Sequence, residues 1–473
     1  MLKHQKQPIS VTDLNSYILA NNLSWLEINQ FVKIIQKEIY EHSCKGNSLQ
    51  IRYKQEILIN SKEACFFAMR CVLNRHLQHE LKVRKQKKDF LFVDGNYFFG
   101  KTYLNQLISK NDEMLINLTT QELLLIILRP EWEARVESNS YGFSSNIAIT
   151  QTIIKTYSIL SKDSNYESSV VLVGKLDESL QKFHAPSVLR KSNYEHNLTT
   201  YLKLVCKPSF FLSSLSLAGK KFQSNDVLSL RKDSFALLIA NILFYGLETA
   251  IAWKFEALNN DRECARPNKV KTIICSDHFL VVFSLNNIRD ISLAINLLRS
   301  FFSSLDLNLQ NNSLSVRSVH EGFDFLGFNF KRYNNKSTWN DQTTKLIVKP
   351  TRDNIKKHFL SMRHCLYHKD RLNRWRANAQ MTQYDVINQL NPLIKDFSQY
   401  YRDLTPPFIL RTLDRTLNEI IYRYAIKKYK SNRSKKWNEN WTTIVQGKKI
   451  IAYQNKMDSG YKALCLHERG DFS

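Results

Sequence analysis

The chain lacks several features that would narrow its class at once. Its eight cysteines (Cys44, Cys65, Cys71, Cys206, Cys264, Cys275, Cys365 and Cys465) include no C-x-x-C pair and no Cys/His cluster with zinc spacing. That excludes a disulfide framework and a zinc module and fits a reducing compartment. The longest apolar runs, Leu123 to Leu128 and Phe235 to Ala240, fall far short of the ~20 residues that span a bilayer. Met1 to Leu14 carries neither an apolar signal core nor the Arg- and Ser-rich pattern of an import sequence. Acidic residues are also scarce: 43 Asp and Glu face 68 Lys and Arg, for a net charge of +25. Such an excess calls for a polyanionic partner, and without a membrane segment nucleic acid is the expected one.

With 473 residues, 43% of them apolar, the chain can bury a large core divided over two to four domains. Residues 14–80 carry helical periodicity, as at Phe31, Ile34, Ile35 and Ile39. The basic stretch Lys82 to Lys88 leads to a short strand, Phe90 to Val93, and a turn at Asp94-Gly95. An apolar helix over about 119–129 is expected to break at Pro130. Strand-like Val170 to Val173, helix-like Phe235 to Ala252, helix Ile288 to Leu305 and a strand at Phe323 to Phe330 follow. This alternation predicts an α+β fold.

Beyond residue 345 the composition changes, with 23 Lys and Arg against 8 Asp and Glu between 345 and 449. Over Leu410 to Lys430, Leu410, Leu413, Leu417, Ile420, Ile421 and Tyr424 follow helical spacing, while Arg411, Arg415, Arg423 and Lys427 recur at multiples of four. One face packs and the other is positive. Tyr400, Tyr401, Tyr422, Tyr424, Tyr429, Trp437 and Trp441 are interleaved with the cations, a mixture that permits base stacking with phosphate neutralisation. Lys349, Lys356, Lys357, Arg402, Lys428, Lys430, Arg433, Lys435 and Lys436 complete the candidate RNA-binding set.

Ile273 to Phe283 reads as a β-hairpin whose polar tip holds one carboxylate, Asp277, followed by His278. Two Mg²⁺ ions about 4 Å apart need several carboxylate oxygens, and a neutral imidazole is a poor substitute. An Asp at a hairpin tip is ordinarily turn chemistry.

Pro130-Glu131-Trp132-Glu133-Ala134 and Ser140-Tyr141-Gly142-Phe143 resemble the second sequence block of group II intron reverse transcriptase/maturases. Further blocks fall in that family's order on either side: Val93-Asp94-Gly95 before, and Ala240-Asn241-Ile242 with Gly246-Leu247-Glu248, then Phe323 to Phe328, after. Leu346 to Pro350 resembles the start of the thumb. Leu390 to Ile394, with Tyr400-Tyr401-Arg402, is similar to the maturase X domain. The resemblance implies reverse-transcriptase-like fingers and palm followed by a helical thumb and a basic helical X domain. The divisions expected are 1–110 (helical N-terminal and fingers region), 111–340 (degenerate fingers and palm) and 341–473 (thumb and X-like RNA-binding domain).

The departures from the family fall on its polymerase chemistry. Lys175 stands where the family has its first catalytic Asp, Gln181 replaces a second acid, and His278 occupies the second Asp of the hairpin tip, leaving Asp277 as a vestige. Asp177, two residues beyond Lys175, restores an acid only if the strand register shifts. Leu230 to Asp233 replaces the glycine-rich block, and Ser144 stands in place of an arginine.

The resemblance therefore implies a splicing cofactor that binds a group II or group III intron RNA without polymerising, with no cofactor or resident metal and with a homodimer or other splicing factors as further partners. Two alternatives stay open: an active reverse transcriptase using Asp177 and Asp277, and a general RNA-binding protein. No endonuclease module is expected after Lys435-Lys436-Trp437, and Cys465 with His467 reads as an incidental pair. Scarce glycine (12) and proline (9), with abundant Asn, Lys, Ile, Phe and Tyr, suggests an AT-rich, organelle-resident gene, in a plastid in preference to a mitochondrion.

Overall fold

A computed structural model describes residues 24–84, 90–93, 96–99, 101–141, 145–162, 170–175, 188–189, 191, 196–205, 234–261, 269–275, 278–284, 286–307, 309, 313–334, 344–378, 380–427, 432–445, 448–454 and 461–468. Mixed helix and strand make an α+β chain, which divides into two compact units: residues 1–152 with 171–316, and residues 153–170 with 317–473.

In the first unit α1 (Trp25–Cys44) starts at Ser24, whose side chain accepts from the Glu27 N–H, and buries Ile28, Val32, Ile35 and Ile39 at spacings of four and three. It packs with α2 (Ser48–Asn60) and α3 (Lys62–Arg84) against α4 (Lys101–Ala134). Between α3 and α4 in the chain the expected strand β1 (Phe90–Val93) pairs antiparallel with β2 (Asn96–Phe99), a strand not anticipated from sequence, Val93 opposite Asn96. The turn residues Asp94 and Gly95 lie outside the described residues.

The helix does not break at Pro130 as the sequence suggests; α4 runs through it to Ala134. Proline removes the N–H that would bond the Ile126 carbonyl. Gln36 supplies the missing donor, its Nε2 lying 2.9 Å from that oxygen. Directly after Pro130, buried Glu131 accepts from Gln55 Nε2 at 2.7 Å and pairs with Arg135 at 2.8 Å.

A four-stranded sheet of order β4-β5-β3-β6 is built from β3 (Val170–Lys175), β4 (Val270–Cys275), β5 (His278–Phe283) and β6 (Leu314–Ser318). The strands of the β4–β5 hairpin are as expected, antiparallel with Cys275 opposite His278. Helices α5 (Ser145–Lys162) and α6 (His196–Val205) precede α7 (Ser234–Phe244) and α8 (Leu247–Asp261). The sequence reads α7 and α8 as one helix, but Gly246 separates them with φ of 86°, a left-handed residue just past a helix end. By length and composition Leu237–Leu258 is apolar enough to cross a membrane. It is, however, interrupted at this glycine, and Leu237 to Leu243 are buried in the core. Phe244, Phe279 and Phe302, the last from α9 (Ile288–Ser303), meet there with ring centroids 5.6–5.9 Å apart.

The second unit contains an antiparallel sheet of β7 (Phe323–Phe325), β8 (Phe328–Asn334) and β9 (Thr344–Pro350). Phe323 to Phe330, expected as one strand, is instead two strands joined by a tight turn at Leu326 and Gly327, with φ of 50° and 83°. After Thr351 caps α10 (Arg352–Leu366), a short hairpin of β10 (Tyr367–Lys369) and β11 (Trp375–Ala377) leads to α11 (Gln383–Tyr401). The latter opens on a Thr382/Asp385 capping box. Then come α12 (Pro407–Lys427), α13 (Arg433–Trp441) and a sheet of β12 (Thr442–Val445), β13 (Lys448–Gln454) and β14 (Tyr461–Ala463). Their shared core gathers Leu366, Val386, Leu390, Leu417, Tyr424 and Trp441.

Candidate nucleic-acid interface

Helix α12 buries Leu410, Leu413, Leu417, Ile421 and Tyr424, which turns Arg423 and Lys427 outward near its C-terminal end. There they meet the last turn of α10, the β10–β11 hairpin and the first turn of α13. The result is a cleft of about 440 Å³ lined by Arg363, Arg423, Lys427, Arg433, Tyr367, Trp375, Ile420 and Ile426. Four of these eight residues are cations and none is an acid. The Lys427 ammonium stands 5.2 Å from the centre of the Tyr367 ring, and that of Lys369 stands 5.5 Å from the Trp375 ring. Burial raises the Tyr367 hydroxyl pKa, while the Arg363 and Arg423 guanidiniums pull it down. Tyr424 lies beneath, its hydroxyl donating to the Asn378 carbonyl at 2.6 Å. Its pKa is pushed up to about 12, first by burial and then by Tyr367 and Asp385.

The hairpin forming one wall has a tip organised by Asp370. One carboxylate oxygen accepts from the backbone N–H groups of Leu372 and Arg374, both at 2.9 Å. The other accepts from Nε of Arg374 at 3.1 Å and of Arg376 at 3.0 Å. The Arg374 backbone N–H, followed by the Arg376 and Arg374 side chains and the Leu372 N–H, holds this carboxyl below the usual carboxylate range. Asn373, with φ of 60°, completes the turn. Lys369, Arg371, Arg374 and Arg376 are consequently presented together on a fixed loop. Arg363 and all four of these cations fall outside the set expected from sequence. Their signal was the alternation of basic residues around one aspartate and one tryptophan, which no helical period picks out.

The described members of the expected set are spread over β9, α10, the end of α11, α12 and α13. Of its members Arg423, Lys427 and Arg433 converge on the cleft. Arg411 pairs with Glu468 at 3.2 Å, Arg402 with Asp403 at 3.6 Å, Lys356 with Asp353 at 4.0 Å and Lys435 with Glu439 at 3.9 Å. All four cations remain exposed, so these pairs leave them open to solvent. Arg415 and Lys357 are exposed, while Lys349 and Lys436 are half-buried. Lys428 and Lys430 lie outside the described residues.

The expected stacking aromatics are engaged elsewhere. Tyr400 donates to the Leu326 carbonyl at 2.8 Å and Tyr401 to that of Gly327 at 3.2 Å, both packing on Phe328. Trp437 and Trp441 stack on each other at 5.8 Å, and Tyr422 meets Trp437 edge-on. Tyr429 is outside the described residues. Trp375 and Tyr367 are the rings that line the cleft.

At the first unit's hairpin, Asp277 lies outside the described residues, as do Asp177 and Gln181. Lys175 ends β3, and His278 is buried at the start of β5. The Phe279 ring occupies the space above Gly174, where an added Cβ would lie 2.0 Å from ring carbon Cζ. Among the described residues no group of three His, Cys, Asp or Glu side chains is placed to hold a metal ion.

His467 and Cys465 are core residues. His467 Nδ1 donates to Asp414 Oδ1 at 2.7 Å, so its Nε2 accepts from His358 Nε2 at 2.8 Å. Asn391 accepts from the Cys465 N–H at 2.9 Å. The last described segment is therefore pinned to α10, α11 and α12.

Residues 366–441, which carry most of the cleft, match the family described as group II intron, maturase-specific domain. Over 413 residues the chain is 22% identical to the maturase-like protein 1 of Euglena longa, a match covering 81% of this chain and 78% of that protein. The chain is thus similar to group II intron maturases, over residues 366–441 to the family's maturase-specific domain and over most of its length to one maturase-like protein.

Proposed function

We propose that the protein is an RNA-binding splicing cofactor that helps a group II or group III intron reach its splicing-active fold. The observation carrying this reading is that the matched domain supplies three of the four cations of a cleft whose lining, among the described residues, includes no carboxylate, the exposed Glu419 pairing with Arg423 beside it. Cations placed together neutralise phosphates and bring RNA segments together, while the intron supplies the chemistry. In this reading the fold is reverse-transcriptase-like, with a helical N-terminal and fingers region over 1–110, degenerate fingers and palm over 111–340, and the thumb and X-like domain over 341–473. Polymerisation is absent, a view supported by Lys175 and the buried His278 at positions where the family carries metal-binding acids. The partner is intron-containing RNA, and the setting is a plastid.

The test is binding of the host intron RNA and of an unrelated structured RNA across a salt series. Alanine at Arg423, Lys427, Arg433, Lys435 and Lys436 should weaken intron binding and lower the salt slope by roughly one unit per lost phosphate contact. An unchanged slope would remove the surface assignment, and normal splicing of every organellar intron in a deletion strain would remove the cofactor role. Primer extension in Mg²⁺ or Mn²⁺ that disappears on Asp277→Ala would favour the active enzyme instead.

A further inference from the structure

We infer that the cleft between the β10–β11 hairpin, α12 and α13 receives one unpaired nucleotide of the bound RNA, its base against the half-buried Trp375 above the buried Tyr367 and its phosphates among Arg363, Arg423, Lys427 and Arg433. This deepens the RNA-binding reading and rests on it. A surface that only neutralised a duplex backbone would need cations alone. Here the cations surround two aromatic rings with Ile420 and Ile426 beside them, a lining that suits a flat apolar face. Bases inside a helix hide their faces in the stack, so only an unstacked base offers one. The volume of about 440 Å³ lies within the range of roughly 300–1,000 Å³ typical of pockets that enclose small ligands.

The cleft is also built in advance. The imidazole of His364 meets Trp375 edge-on at 5.0 Å, and Asp370 fixes the turn between Lys369 and Trp375 through four hydrogen bonds. Little ordering is left to offset the gain from binding.

The experiment uses the full chain with three probes: a single-stranded RNA dodecamer carrying photoreactive thiouridine, a blunt duplex of the same length, and uridine monophosphate alone. Crosslinks from the single strand are expected in the peptide holding Tyr367 and Trp375. Trp375→Ala should weaken single-strand binding roughly 5- to 100-fold and leave duplex binding unchanged, while Trp375→Phe retains most of the affinity. Crosslinks confined to other peptides, equal losses for both RNAs, or mononucleotide binding as tight as that of the single strand would each overturn the inference. If Trp375→Ala does not fold, the crosslink map of the unaltered protein decides. Salt-dependent binding of both RNAs with no effect of Trp375→Ala removes the pocket alone; absence of binding to either RNA removes the broader reading as well.

Discussion

The side-chain amide of Gln36 donates to the carbonyl of Ile126 at 2.9 Å, filling the acceptor that Pro130 leaves open four residues later. Gln36→Ala should therefore destabilise the first unit by about 1–3 kcal/mol, the cost of stranding a polar group away from water. In a Pro130→Ala background the restored N–H can reach Ile126, so the same substitution should cost measurably less. Urea melts of the four proteins in this cycle check the coupling. Equal costs in both backgrounds would mean that Gln36 acts through packing instead.

The turn at Leu326-Gly327 makes a similar case in the second unit. A Cβ at Gly327 would lie 2.7 Å from Asn354 Nδ2 and 3.0 Å from the Tyr401 hydroxyl, at a φ of 83°. Gly327→Ala should cost about 1–2 kcal/mol for the left-handed backbone alone, with more for displacing those two groups. Tyr400→Phe, which removes the bond to the Leu326 carbonyl, should cost about 1 kcal/mol. Neither loss is expected to alter RNA affinity once stability is restored by lower temperature, because these tyrosines serve the turn.

Local patterns carried much of this architecture into the sequence. The spacing of Leu410, Leu413, Leu417 and Ile421 declares α12, and the continuous apolar runs on either side of Asp277 declare the β4–β5 hairpin, because a helix buries one face and these strands bury both. What failed depended on distant partners. Pro130 looks like a helix end until Gln36, more than ninety residues earlier, is seen to satisfy the carbonyl. Tyr400 and Tyr401 look like stacking residues beside Arg402 until the Leu326-Gly327 turn is found under their hydroxyls. Arg363 and Arg376 carry no periodic mark, since a hairpin tip and a helix end collect cations by folding together rather than by spacing. Cation type was therefore legible and convergence was not.

Burial, and then the neighbouring His467, lowers the pKa of His358 to about 3 from an ordinary 6.5. Between those values the unfolded chain binds a proton that the folded chain does not, so stability rises with pH across that window and is lost as pH falls below about 6.5. The full effect is on the order of a few kcal/mol. His358→Gln, which keeps a donor toward His467, should flatten this part of the stability–pH curve. Chemical denaturation between pH 4 and about 7 compares the two proteins over the range in which histidine titrates. An identical slope in the variant would show that the loss arises at other groups.

Gly174 tests what the hairpin core of the first unit demands. Because an added methyl would sit 2.0 Å from the Phe279 ring, Gly174→Ala should destabilise by about 1–3 kcal/mol or more through overpacking. Phe279→Leu should recover part of that loss in the double variant while costing stability by itself. Were Gly174→Ala neutral, the strand would have room for a side chain, and the small residue before Lys175 would need another explanation.

Asp370 gathers the tip of the β10–β11 hairpin through two backbone N–H groups and two guanidiniums while remaining on an exposed loop. Its contribution is accordingly to geometry, since ion pairs in water add little to global stability. Asp370→Asn retains an acceptor of similar shape but removes the charge that draws Arg374 and Arg376 together. Amide exchange at Leu372 and Arg374 should accelerate in the variant, while the melting transition should shift little. Freed from the clasp, the two arginines still attract phosphate, so the salt slope of RNA binding should persist. The preference for single-stranded over duplex RNA should fall, because it depends on Trp375 being held at the wall of the cleft. Slower or unchanged exchange at Leu372 and Arg374 would mean that the turn is fixed by Asn373 and the strand pairing, with Asp370 a passenger.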